Sequence, residues 1–355
     1  MKVALILPGS IWYAPYVRIY TRILDSIHTN YSIISWNREG DDKVEGFQYN
    51  VLCAKGHGSA GFSAYKGYIN FIKDTLRDNE FDKIIVFGPQ MTCLLSTYLL
   101  KNYKGKYMID YRDLSIEQKI GLKQLFSIML KFSFANVISS PGFKHCLPQR
   151  DDYILSHNFD VDAVKKAVEG KIPNKRIYSG IIDILTIGAI RDFSSNIEVV
   201  KALSNKDGFY MRFVGRGGAA NKICDYCKNN DITNIKFEGF YQKEEEASFI
   251  ESSTFLNIFY PRKITHDTAL SNRFYLSLIY KKPMIVTKNT TQGDFAEKFN
   301  LGVVVDDCSN LDENLRLFLK EDYSSYVERC NKLLELFLSD QVKFEKTVKE
   351  FVTGK

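Results

Sequence analysis

A chain of 355 residues with 45% hydrophobic and 25% charged residues is long enough for two domains, each with its own core. Its seven cysteines follow no disulfide framework and point to a reducing compartment, while no apolar run approaches the ~20 residues of a membrane span. The net charge of +6 is mild but uneven: from Lys83 to Arg150, ten Lys or Arg stand against three acids, a balance of +7 that suits an anionic partner.

Strand-like and helix-like segments alternate along the chain. "MKVALILPGS" is too short in its apolar run for a signal peptide and reads as a first strand over 2–8. Further strands are predicted at 31–36, 83–89, 106–111 and 135–140, with helices between most of them, such as 63–78 and 90–102. The polar stretch 160–180, punctuated by Gly170, Pro173 and Gly180, then interrupts the pattern. It restarts with strands at 182–188, 210–215, 234–239, 254–260, 283–287 and 302–306, and closes with helices at 310–319, 322–336 and 340–352. Strands alternating with helices make βαβ units and a parallel sheet. The predicted fold is therefore α/β, with two Rossmann-like doubly wound domains facing each other across a cleft. Residues 1–160 form the first domain, 161–180 a linker and 181–338 the second domain. Residues 339–355 form a C-terminal helix free to cross back to the first.

In "SNRFYLSLIYKKPMIV" (271–286), Ser271 or Asn272 supplies an N-cap, and Phe274, Leu278 and Ile279 recur at helical spacing. Pro283 stops the helix and opens a buried strand. Ligands of open α/β sheets bind beyond the carboxyl ends of the strands, so residues there are the candidates. The lone Cys224-x-x-Cys227 lacks the second ligand pair that a zinc site needs, and the histidines have no metal-ligand spacing.

Five stretches in order, "ILTIGAIRDFSSNIEVVKAL", "MRFVGRGG", "NIKFEGFYQKEEEASFIESSTFLNIFYP", 271–286 and "TKNTTQGDFAEKFNLGVVVDD", resemble the nucleotide-sugar half of GT-B glycosyltransferases, especially group 1 (family 4-like) retaining enzymes of bacterial polysaccharide and capsule synthesis. The resemblance implies a hexosyltransferase. It would move a sugar from a nucleotide diphosphate sugar to a glycan or polyisoprenoid-linked glycan, with retention and without a metal or other cofactor. It places the donor at Gly188, Gly215, Arg216, Gly217, Thr268, Ser271 and Asn272, and assigns catalytic charge to Arg191 and Arg273. A diphosphate needs positive potential and free N–H donors, and Arg191 and the helix N-terminus near Ser271 supply them. Two glutamates common in these enzymes fall on Thr268 and Leu276, and leucine accepts no ribose hydroxyl. A neighbour such as Asp267, a different way of holding ribose, or a shifted register are the alternatives. Arg262, Lys263 and Arg216 are candidates for a second phosphate-binding group.

In the first half, "YMIDYRDLS" resembles a cleft segment of related enzymes. Asp110 there either takes a proton from an acceptor hydroxyl or forms a salt bridge with Arg112. Gly9, Trp12, Arg112 and His157 are the expected acceptor-binding residues. Trp12 and Tyr13 either stack on sugar or join the core, and the loop 56–68 has the composition of a flexible cover. The segment 116–134 mixes Lys119, Lys123 and Lys131 with large apolar residues. It is either a core helix or a surface for peripheral contact with an anionic membrane. A cytoplasmic protein, in part at the inner face of the plasma membrane, follows from this reading. No aromatic-interleaved basic stripe suggests nucleic acid. The alternatives are a nucleotide-sugar epimerase on the same fold, or a non-catalytic relative acting as a binding or scaffold subunit.

Overall fold

Short apolar runs, most of them followed by a helix, give the chain two parallel sheets. The structure, a computed structural model, describes residues 1–40, 46–52, 62–173, 178 and 180–354. It divides into one unit of Met1–His157 with Asp340–Lys355 and a second of Asn158–Ser339.

The first unit holds seven strands: β1 (Lys2–Ile6), β2 (Asn30–Trp36), β3 (Phe47–Tyr49), β4 (Lys83–Phe87), β5 (Tyr107–Tyr111), β6 (Ala135–Ile138) and β7 (Tyr153–Leu155). All pair in parallel, in the order β3-β2-β1-β4-β5-β6-β7. The second unit holds β8 (Ile182–Ile187), β9 (Phe209–Val214), β10 (Ile235–Gly239), β11 (Phe255–Ile258), β12 (Met284–Thr287) and β13 (Gly302–Val305). They too are parallel, in the order β10-β9-β8-β11-β12-β13.

Every strand expected from the sequence is present. The two that were not expected, β3 and β7, are three-residue strands at the edges of the first sheet, where no continuous apolar run is required. The predicted helix 90–102 is two helices, Pro89–Leu94 and Ser96–Asn102. The two helices expected at 322–336 and 340–352 are one, Tyr323–Thr353. Its last turns carry Phe344, Val348 and Phe351 into the core of the first unit, where Phe344 meets Tyr20 edge-on.

The stretch expected to be a linker carries the helix Val161–Val168, N-capped by Asp160. Val164 and Ala167 sit in the core of the second unit, so apolar burial rather than polarity decides this segment. Residues 174–177 and 179 of that stretch, and 56–61 of the loop 56–68, lie outside the described residues.

The helix Asn272–Ile279 ends where the sequence places its stop. Lys281 is left-handed (φ 53°), the Lys282 N–H donates to the Ser277 carbonyl at 2.9 Å, and Pro283 leads into β12. No described helix is long and apolar enough to cross a membrane.

Candidate functional site

β8 and β11 pair only as far as Leu185 and Leu256, at the point where the strand order of the second sheet reverses. Beyond it lies a cavity of about 340 Å³. The turn after β8 contributes Gly188, Arg191 and Asp192, and the segment after β11 contributes Tyr260, His266, Ser271, Asn272, Arg273 and Leu276. Tyr241, Glu246 and Gln292 complete the wall. Ligands of open α/β sheets bind at such switch points.

Arg191 is exposed on this wall and has no hydrogen-bond or ion-pair partner among the described residues. The N-terminus of the helix Asn272–Ile279 reaches the same cavity. Ser271 caps it by accepting the Phe274 N–H at 3.3 Å, and donates its own N–H and hydroxyl to Gln292 Oε1 at 3.0 and 2.7 Å. The first N–H groups of a helix lack intrahelical acceptors, and Ser271 and Asn272 bring them to the cavity. Asn272 is itself fixed by the Asn158 amide at 3.1 Å. Arg191, Gly188, Ser271 and Asn272 therefore line one cavity.

Arg273 lines the same cavity but not as a free charge. Its guanidinium is buried and donates to three carbonyls: Ile187, Asn257 (3.3 Å) and Ala189 (2.9 Å). Where β8 and β11 stop pairing, these oxygens lose their ladder donors, and the planar fork of arginine replaces them. Arg273, expected to carry catalytic charge, thus ties the turn after β8 to the helix Asn272–Ile279, the two walls of the site, with three of its donors engaged by protein carbonyls.

Two glycines of "MRFVGRGG", Gly215 and Gly217, are required by the backbone itself. A Cβ on Gly215 (φ 131°) would lie 2.0 Å from the Gly188 carbonyl oxygen, and one on Gly217 2.1 Å from that of Ile190. The Gly188 N–H donates to Val214 and the Ile190 N–H to Arg216, so the two turns lie against each other. Neither Gly215 nor Gly217 lines the cavity, and Arg216 lies over the Phe240 ring at 4.9 Å, also outside the lining. Thr268 is buried, with its hydroxyl donating to the Ile264 carbonyl at 2.7 Å. All four, expected as donor contacts, lie outside the residues that line the cavity. Asp267, named as a ribose substitute, has both oxygens on Arg262. Leu276 does line the cavity, as that alignment requires.

In the first unit, Asp110 is fully buried. Its oxygens accept from Arg112 Nε at 2.8 Å and Nη2 at 2.9 Å, and from the Tyr20 hydroxyl at 2.6 Å. Arg112 also reaches the Ser156 hydroxyl at 3.0 Å and lies over the Tyr16 ring. Burial and Asp110 together push the Tyr20 phenol well up. The salt-bridge alternative holds, so Asp110 as a catalytic base and Arg112 as an acceptor contact are corrected. His157 is buried, with Nε2 3.2 Å from Asp340, and burial holds its imidazole below the usual range. It is a structural histidine, not an acceptor contact. Trp12, 73% exposed, remains available on the short helix after β1, and Gly9 lies beside the Arg38 guanidinium.

Tyr241, Glu246, Tyr260, Gln292 and Asp192 were not singled out from the sequence. Asp192 forms an ion pair with Lys263 at 3.3 Å and lies 3.9 Å from His266 Nε2. The position of Asp192 beside Arg191, just past β8, is a signal that the sequence does contain.

No protein-family model matches the chain, and no curated relative matches it either. Solved structures do. Sucrose-phosphate synthase from Thermosynechococcus elongatus superposes with a TM-score of 0.72 at 11% identity, covering 100% of both chains. HepE of Anabaena in complex with UDP and glucose gives 0.68 at 11% identity, again covering 100% of both. WaaG, a glycosyltransferase involved in lipopolysaccharide biosynthesis, gives 0.65 at 14% identity, covering 99% of this chain and 100% of that one. The chain has the two-domain α/β architecture of the GT-B glycosyltransferases.

Proposed function

We propose that this protein is a glycosyltransferase that binds a nucleotide diphosphate sugar in the cavity of its second unit and passes the sugar to a glycan acceptor held by the first. The observation that carries the reading is Arg191. It is an exposed guanidinium with no protein partner among the described residues, lining the same cavity as the N-terminus of the helix Asn272–Ile279. A planar fork and a row of free N–H groups together suit a diphosphate. As the bond from the sugar carbon to the diphosphate oxygen breaks, both would stabilise the charge left on the leaving group. Such a site needs no metal for that task.

Retention fits the same arrangement. The acceptor oxygen bonds to the sugar carbon on the face the diphosphate leaves, and its proton passes to a diphosphate oxygen. Asp110, buried under Arg112 and Tyr20, is not placed to take that proton. Trp12 and Tyr13 are acceptor-side aromatics that stay exposed, and an aromatic face suits a sugar ring.

A surface-polysaccharide role and a lipid-linked acceptor are supported by the helix Leu122–Phe132 and its flanks. Phe126, Met129 and Leu130 are buried, while Ile120 is wholly exposed between exposed Lys119 and Lys123, and Lys131 is exposed in the last turn of the helix. An apolar residue among lysines suits an anionic bilayer from the cytoplasmic side. Incubation with UDP-, GDP-, dTDP- and CDP-sugars, with and without lipid-linked glycan, tests the reading. Nucleoside diphosphate release coupled to a lengthened glycan supports it, and a new sugar nucleotide without transfer marks an epimerase.

A further inference from the structure

The cavity carries two carboxylates with different surroundings. Asp192 is next to Arg191 and is held by Lys263 at 3.3 Å with His266 beyond. Glu246 opens the helix Glu246–Glu251 and is 9% exposed. Its Oε1 accepts from the Tyr241 hydroxyl at 3.0 Å and its Oε2 from Lys243. Each carboxylate oxygen has a second acceptor site, so both remain able to accept from a ligand. Glu246 also lies close enough to Tyr280 to help raise its phenol, after burial. Leu276, one turn before Tyr280 on the helix Asn272–Ile279, lines the cavity with an apolar side chain. Glu246 thus stands between Tyr241 and the Leu276–Tyr280 side of the helix Asn272–Ile279.

A buried carboxylate repels a diphosphate, so it must face a neutral, donor-bearing part of the ligand. We propose that Glu246 binds the nucleoside half of the donor, its carboxylate accepting hydrogen bonds from two adjacent donor groups. This rests on the donor-site reading above. A nucleoside offers two such pairs: the ribose 2′,3′-diol, and N1–H with the 2-amino group of guanine. Uracil and thymine present one N–H between two carbonyl oxygens, which a carboxylate disfavours. The apolar and aromatic surroundings of Leu276 and Tyr241 suit a nucleoside better than a hexose.

Titration calorimetry on the wild-type protein and Glu246→Gln tests this, with pyrophosphate, UDP, GDP, 2′,3′-dideoxy-UDP, IDP and UDP-glucose as ligands. Pyrophosphate should bind both proteins equally. The preferred nucleoside diphosphate should bind the variant about tenfold more weakly, the size of one charged hydrogen bond. If ribose is the ligand, the wild type prefers UDP to its dideoxy analogue and the variant does not. If guanine is, the preference for GDP over IDP is what disappears. Equal nucleoside diphosphate affinities in the two proteins overturn the proposal, as does a loss confined to UDP-glucose. A parallel loss for pyrophosphate also overturns it, because Glu246 then holds the site's shape instead. If the wild type binds neither pyrophosphate nor any nucleotide, the donor-site reading itself falls.

Discussion

Arg273 Nη2 donates to the carbonyl of Ala189 at 2.9 Å, joining the helix that presents Ser271 to the turn that presents Arg191. Two other donors of the same guanidinium bind Ile187 and Asn257, so one side chain satisfies the carbonyls left where β8 and β11 part. Replacing Arg273 with Met should leave these buried acceptors unpaired, at a cost of about 2–4 kcal/mol. Urea unfolding would show the lowered midpoint. Nucleotide affinity should fall with it, since both walls of the cavity lose their tie. A variant of full stability with weak binding would instead return Arg273 to direct ligand contact.

The three glycines at 215–218 should respond differently to alanine. Gly215→Ala and Gly217→Ala each place a Cβ about 2 Å from a carbonyl oxygen, and Gly215 also has φ 131°. Both should lose about 3 kcal/mol or more, or fail to fold. Gly218 has a negative φ and no atom within 4 Å of an added Cβ. Gly218→Ala should stay within about 0.5 kcal/mol of the wild type. Thermal melts of the three variants check this, and equal effects at all three would contradict the close turn-to-turn packing.

This cluster shows how far the sequence was legible. A run of Gly, Arg and Gly after a strand marks a turn near a ligand site, and that much is correct. Whether the glycines serve ligand or backbone depends on where the β8 turn lies, which no local pattern encodes. Most of the parallel strands were legible because they are near-continuous apolar runs; β3 and β7, three residues each, were not. Asp110 and Arg112 read equally well as a salt bridge or a reactive pair, and only burial with Tyr20 as a third partner decides it. Glu246 stayed hidden in the acidic run "KEEEA". Glu244 and Glu245 are exposed there, and only the fold turns the third glutamate inward.

Lys281 provides a pH test. It is 1% exposed, with Nζ donating to the Leu278 carbonyl at 3.0 Å, and burial pushes its pKa down to about 8. In the unfolded chain a lysine titrates near 10.4. Between about pH 8 and 10, the unfolded state therefore holds a proton that the native state has released, and stability attributable to this group rises with pH. Burial holds the neighbouring Cys330 thiol up at about 11, so it stays protonated through this window. Lys281→Met keeps the side-chain length and removes the titration. Its stability advantage over the wild type should shrink from pH 7 to pH 10, by about 3 kcal/mol at most. A pH-independent difference between the two would show that Lys281 keeps its proton in the native state throughout this range.

The most direct test of the central claim is calorimetric titration of UDP, GDP, dTDP and CDP, with EDTA present, into the wild-type protein and Arg191→Ala. Arg191 is exposed and without a protein partner among the described residues, so its removal should leave the melting temperature unchanged. The wild type should bind one nucleotide in about the micromolar range. The variant should bind it at least about tenfold more weakly, as the loss of a charge-assisted contact to phosphate requires. No binding of any nucleotide by the wild type, or equal binding by the two proteins, would contradict a donor diphosphate held by Arg191.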